Sequence, residues 1–217
     1  MFILTVDKII IQYYNIDILI MHSRRLLMEK GDKSNKMIKK TVTAALLTAL
    51  TFVGTMIIQI PTGTNGYIHI GDCFVILCGY ILGPVWGFMA AGVGSALTDI
   101  ATSYFFWAPG TFIIKGAMAT IAYLLVKSTS KVFKKGTLLP FVLASVIAEL
   151  LMVAGYFVYA ATILGEGLPA ALSIPANLVQ GVAGAIMSTL LAEIFAHNKA
   201  LCRLAPITAL HTTSQKI

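Results

Sequence analysis

The sequence predicts an all-α, polytopic membrane protein: a bundle of six transmembrane helices with both termini cytoplasmic. Three observations carry that expectation. Of the 217 residues, 58% are hydrophobic and only 12% charged, where soluble domains carry about 25% charged residues; the mean hydropathy is +0.85. Uncharged runs close to the roughly 20 residues a helix needs to cross a bilayer recur along the chain. The basic residues also sort to one side: of sixteen Lys and Arg, seven lie in residues 22–40, four in 127–135 and three after His197. Cytoplasmic loops are the ones enriched in Lys and Arg. The same placement explains the net charge of +7 as membrane orientation and argues against a nucleic-acid partner. A chain of this size fits one polytopic domain in a cell membrane, with no room for a separate soluble catalytic domain.

Residues 1–36 differ in character from the rest of the chain. The apolar patch from Ile9 to Met21 is broken by Gln12, Asn15 and Asp17, is too short for a span and lacks the order of a signal peptide. Met28 to Lys36 (MEKGDKSNK) has a composition that stays disordered. The expectation is a poorly ordered or artefactual extension over 1–36, with translation beginning at Met28 or Met37. A membrane domain over 37–197 and a cytoplasmic tail over 198–217 complete the chain.

The first span is read as 41–60, an uncharged run between Lys39-Lys40 and Pro61. Thr41, Ala45 and Ala49 fall at i, i+4, i+8, a small-residue stripe along which another helix can approach closely. Packing within the same subunit fits that periodicity equally well. Residues 62–70 form a polar loop, and Asp72 stands at the mouth of the next apolar run. From Cys73 to Thr98 there is no charge. Gly83-Pro84 divides this run, because the basic loops on either side share a face only if an even number of spans separates them. The remaining spans are then 67–82, 85–104, 110–126, 138–163 and 170–196, the second short enough to be tilted or partly irregular. The outer loops, 61–66, 105–109 and 164–169, contain no Lys or Arg.

Ionisable side chains at membrane depth are costly and mark function by default. Asp99 lies five residues before Tyr104 and Lys115 five after Gly110. Each therefore sits roughly 8 Å inside the outer boundary at helical rise, and the two are expected to pair. Glu149, Met152, Tyr156 and Tyr159 share a face of the fifth span; Asn177, Gln180, Gly181 and Gly184 share one of the sixth. Asn65, Tyr67 and His69 lie in or beside the loop above. Polar groups thus gather in the outer half, over an inner half of small and aliphatic residues, which predicts a pocket open to the outside. The candidate ligand residues are Asn65, Tyr67, His69, Asp99, Lys115, Tyr156, Asn177 and Gln180. A structural clamp between helices is the competing role for Asp99–Lys115, and Glu149 reads as structural or gating. Asp72, Glu166 and His69, near the interface, are compatible with plain solvation. Tyr156, Tyr159, Phe105 and Trp107 suit either a flat heteroaromatic ring or an interfacial belt.

No enzyme signature accompanies these groups. Cys73, Cys78 and Cys202 show neither CxxC nor metal spacing, and the four histidines lie outside the spans or at their edges. No metal or cofactor is expected, and no P-loop for ATP is present.

Taken as a set, GDCFVILCGYILGP, GFMAAGVGSALTD, Tyr104 and PGTFIIKGAMA resemble the substrate-binding S components of energy-coupling factor (ECF) vitamin transporters. The likeness covers about residues 37–197 and points to the branch of hydroxymethylpyrimidine, pyridoxine and some riboflavin-type carriers. It implies six helices that bind a small-molecule vitamin or precursor from outside, under a lid formed here by residues 61–70. It also implies partners: a transmembrane coupling subunit, docked on Thr41, Ala45 and Ala49, and two cytoplasmic ATPases. The alternative from another class is a stand-alone proton-coupled transporter using Asp99, Lys115 or Glu149.

Overall fold

The computed structural model describes residues 34–61, 67–133 and 137–197. The chain divides into two compact units, Met1–Thr41 and Val42–Ile217. Of the first, only residues 34–41 are described, as the opening turns of helix α1 (Ser34–Ile57). Asn65, with half of the expected lid (62–66), lies outside the described residues, as do the extension before Ser34 and the tail after His197.

In the second unit, α1 leads into two short strands, β1 (Ile60–Pro61) and β2 (Tyr67–Ile68), paired antiparallel with Ile60 opposite Ile68 and Pro61 opposite Tyr67. The helices α2 (Asp72–Leu82), α3 (Pro84–Ala101) and α4 (Ala108–Thr129) come after them. Next is α5 (Leu139–Val158), prolonged by a π turn over Tyr159–Ile163. A 3-10 turn (Leu168–Ser173) then enters α6 (Ile174–His197). Apart from the strand pair, the described chain is helical. Among the described residues, four segments are long and apolar enough to cross a membrane: Ser34–Ile57, Ala108–Thr129, Leu139–Ile163 and Leu168–Phe195.

The expected division after Leu82 is present and has a local cause. Gly83 adopts φ 81°, a left-handed conformation that costs glycine little, and Pro84 then opens α3 at a position where its missing N–H is no loss. The second span, however, begins later than 67. The strand pair takes up Tyr67 and Ile68, and α2 starts only at Asp72. At 11 residues it rises about 16 Å, roughly half a bilayer core, so its first residue lies within the bundle.

Helix α2 is the core of the unit, packed against α3, α4 and α6, with only Phe74 and Ile81 less than fully buried. Small residues permit this closeness. A Cβ added at Gly79 would stand 2.0 Å from the Ala119 carbonyl oxygen of α4, and one at Gly94 of α3 would stand 2.7 Å from the Thr48 carbonyl of α1. Large apolar side chains point outward instead, among them Val85, Ile113, Leu150 and Val182, as expected of lipid-facing surface. Two turns along α2 from Asp72, the Tyr80 hydroxyl meets Ser145 Oγ of α5 at 2.9 Å. Ser145 in turn meets Ser188 of α6 at 2.9 Å. This hydroxyl chain ties three helices together inside the half expected to be mostly small and aliphatic.

Candidate functional site

The strand pair, the α3–α4 loop and the turn before α6 converge on a cavity of about 350 Å³. Thr55 of α1, Ser95 and Asp99 of α3, Thr111 of α4 and Tyr156 of α5 line its walls. Tyr104 and Trp107 enter from the α3–α4 loop, Asn177 and Gln180 from α6, and Tyr67 and His69 from the lid side. Its aromatic walls are mutually braced. The Tyr67 ring lies 5.0 Å from Tyr104, edge to face, and Trp107 lies 5.9 Å from both Tyr156 and Tyr159.

The polar atoms divide into satisfied and orphaned ones. Tyr67 Oη donates to Asp99 Oδ1 at 2.7 Å, and Tyr156 Oη donates to Thr111 Oγ1 at 3.2 Å. Burial, and then the neighbouring Asp99 charge, push the Tyr67 hydroxyl up, so it keeps the proton it donates. Three buried atoms in the wall have no donor or acceptor from the protein: Thr55 Oγ1, Ser95 Oγ and Asp99 Oδ2. Native proteins rarely leave such atoms unpaired; their residues line the cavity, with Thr55 Oγ1 packed against Gly71.

Beneath it lies a second polar layer. Lys115 is completely buried and ion-paired with Asp72, which is equally buried. Gln180 Nε2 donates to the other Asp72 oxygen at 2.6 Å, while Gln180 Oε1 accepts the His69 backbone N–H at 3.1 Å. Those two contacts fix the amide's orientation. His69 Nδ1 accepts the Gly71 N–H at 3.1 Å, so a neutral ring carries its proton on Nε2. Burial, the larger cause, pushes His69 down to about 4 and keeps it neutral. Its Nε2 stands 3.4 Å from the Gln180 NH₂ group. That geometry sets a donor against a donor. Glu149 lies against Gly181 and Gly184 beside Asp72, with no donor to either carboxyl oxygen.

This arrangement corrects part of the sequence reading. The expected Asp99–Lys115 pair does not form: Lys115 belongs to Asp72, and Asp99 to Tyr67. Helix α2 begins inside the bundle, and its first residue, Asp72, is thereby brought to Lys115. Accordingly Lys115 does not line the cavity; its ammonium sits 5.3 Å from the Tyr156 ring centre. Neither Asp72 nor His69 is solvated. Tyr67, His69, Asp99, Tyr156, Asn177 and Gln180 are brought together around one space, and Glu166 joins them at its edge. Phe105 is exposed and lines nothing there.

Residues 35–197 match the family described as "ECF-type riboflavin transporter, S component". The chain belongs to this family. Its members are transporter subunits of the membrane rather than enzymes. The S-component fold is also that of a solved structure described as "Structure and mechanism of the S component of a bacterial ECF transporter". That chain superposes with a TM-score of 0.57 at 21% identity, over 74% of the present chain and 96% of its own. Among sequence relatives, an "uncharacterized protein in gap 3′region" of Pyrococcus woesei is 35% identical over 136 residues, 62% of this chain and 86% of the relative. A "UPF0397 protein" of Lactiplantibacillus plantarum is 30% identical over 102 residues, 46% of this chain and 54% of the relative.

In this S component the sequence reading missed Thr55, Ser95, Tyr104 and Thr111 as wall residues. Helical spacing held the signal for three of them. Ser95 precedes Asp99 by four residues, Thr111 precedes Lys115 by four, and Thr55 comes four after Thr51. Tyr104 sits in a loop, where no period applies. On α1, Thr41, Ala45 and Ala49 are all exposed. Among the described residues no cluster of His, Cys, Asp and Glu has the makings of a metal site, and Cys73 and Cys78 are buried free thiols. What the cavity can do chemically is bind.

Proposed function

We propose that this S component captures a vitamin or vitamin precursor from outside the cell for an ECF importer of the ABC type. A separate transmembrane coupling subunit and two cytoplasmic ATPases energise it. The observation that carries the reading is an aromatic-walled cavity of about 350 Å³ that Thr55, Ser95, Asp99, Asn177 and Gln180 line with polar side chains. That volume falls at the small end of ligand sites. Flat rings stack well on Tyr and Trp, while hydrogen-bonding atoms fix their orientation. The riboflavin transport in the family's description is in keeping with a ligand of this kind.

In this reading Tyr67, His69, Asp99, Tyr156, Asn177 and Gln180 contact the ligand, Asn65 adds to the lid over residues 61–70, and Lys115 acts through Asp72. Both termini are cytoplasmic, as the placement of Lys and Arg supports, and the cavity faces outward. The exposed stripe of Thr41, Ala45 and Ala49 docks on the coupling subunit, since small residues let a partner helix approach closely.

Native mass spectrometry of the purified full chain, then solvent extraction and titration of the extracted compound, tests the reading. The expected result is a bound heteroaromatic molecule of vitamin size that rebinds one to one. A chain that purifies empty and binds no vitamin or precursor contradicts it. The donorless carboxyl oxygens of Glu149 favour one second reading, a proton-coupled transporter working without ATPases through Glu149, Asp99 and Lys115.

A further inference from the structure

The polar layer beneath the cavity holds two acids for one strong base. Asp72 and Lys115 are fully buried and paired, and Glu149, 4% exposed, lies beside them. Among the described residues Lys115 is the only buried lysine or arginine, and its ammonium is held by Asp72 Oδ1. The other groups that face Glu149 are neutral: Gln180 of α6, Cys73 and Tyr80 of α2, Tyr156 of α5 itself, and the His69 ring on the far side of Asp72. With both carboxyls ionised, the layer would carry two negative charges against one positive. Buried charge without a partner is among the costliest arrangements in proteins.

The two acids occupy one space, and glycines of α6 make room for it. A Cβ at Gly184 would fall against Glu149 Oε1 and stand 3.0 Å from Asp72 Cβ, and one at Gly181 would stand 3.1 Å from Glu149 Cβ. Glu149 therefore lies along the α6 backbone, within hydrogen-bonding reach of the Asp72 carboxylate. Donors are divided unevenly between the pair. Asp72 Oδ1 has the Lys115 ammonium and Oδ2 the Gln180 amide at 2.6 Å, while neither Glu149 oxygen has a donor. Donors to a carboxylate favour its charged form, so Asp72 is the member that ionises. Two anions in contact repel, and one proton between them turns that contact into a charge-assisted hydrogen bond.

We propose that Glu149 is a buried proton site: its carboxyl stays protonated at neutral pH and donates to Asp72, which joins α5 to α2 and brings the layer to zero net charge. Glu149 is then a positioning residue. It steadies Asp72, Asp72 orients the Gln180 amide, and Gln180 lines the cavity. The same proton is required whatever the cavity binds.

Infrared spectroscopy of the purified full-length chain in detergent, at neutral pH, reads the proton directly. A protonated carboxyl absorbs above the amide band, where an ionised one does not. The expected spectrum has such a band, shifted by deuterium oxide and by carbon-13 glutamate, and lost in Glu149→Gln. Gln keeps an N–H donor for Asp72 but cannot ionise. A carboxyl that is protonated when folded and ionised when unfolded makes stability fall as pH rises. The melting temperature of Glu149→Gln is therefore expected to gain on that of the parent from about pH 5 to about pH 8, other titrating groups being common to both chains. An acid region unchanged by the substitution, in a variant that folds, overturns the proposal. So does a melting difference that stays constant over that range. If Glu149→Gln does not fold, the labelled parent decides alone: absence of a glutamate band in the acid region at neutral pH means that Glu149 is ionised and the proposal wrong.

Discussion

Lys115 without Asp72, or Asp72 without Lys115, would leave a lone charge where no water reaches. Removing one member of a buried pair costs about 3–5 kcal/mol, whereas replacing both by neutral residues of similar volume is often tolerated. Lys115→Met is therefore expected to lower the melting temperature of the purified chain sharply, and Lys115→Met with Asp72→Asn to recover most of the loss. A single variant that melts normally yet fails to bind would instead make Lys115 a ligand contact. His69 gives a pH dependence of definite sign. Its folded pKa of about 4 lies below the ordinary value of 6.5, so between those values the unfolded chain binds the extra proton. Stability is then complete above pH 6.5 and falls by about 2 kcal/mol by pH 5, at 1.36 kcal/mol per unit. Melting scans at the two pH values, repeated with His69→Gln, should show the slope in the parent and its loss in the variant. Single residues were legible as chemistry but less so as partners. The sequence exposed Asp99 and Lys115 because charges stand out in an apolar run. Depth counting pairs Asp99 with Lys115 because it places Asp72 at the interface, whereas α2 begins inside the bundle and brings Asp72 to Lys115.

At the scale of elements, most of the fold was written in hydropathy and punctuation. Gly83-Pro84 marks its break plainly, and Pro109 marks the start of α4. The strand pair carries no such mark, since two residues per strand are too few for an alternating pattern to be read. The π turn after Val158 is likewise invisible, because its residues, YAATI, read as more helix. Helix α1 offers the sharpest element-level test. Thr41, Ala45 and Ala49 are exposed on one stripe, so a bulky residue there should disturb a partner and leave the bundle intact. Ala45→Trp and Ala49→Trp are expected to retain ligand binding and melting temperature while abolishing uptake by the assembled transporter. Uptake at parental level in both variants would place the docking surface elsewhere.

For the molecule as a whole, the cavity and the polar layer under it are one device. Tyr67 and His69 tie the lid side to Asp99 and Gln180. Gln180 ties it to Asp72, and Asp72 to Lys115. These contacts run from the strand pair to α2, α4 and α6. Nothing along them resembles a motor, and the chain has no P-loop. In the importer reading proposed above, the energy for transport comes from other subunits. The most direct measurement is uptake of the bound vitamin into liposomes containing the purified chain, alone under an imposed pH gradient and together with the coupling subunit and ATPases supplied with ATP. Accumulation only in the assembled, ATP-fed vesicles is the predicted result. Accumulation by the chain alone, driven by the proton gradient and lost with Glu149→Gln, would contradict it.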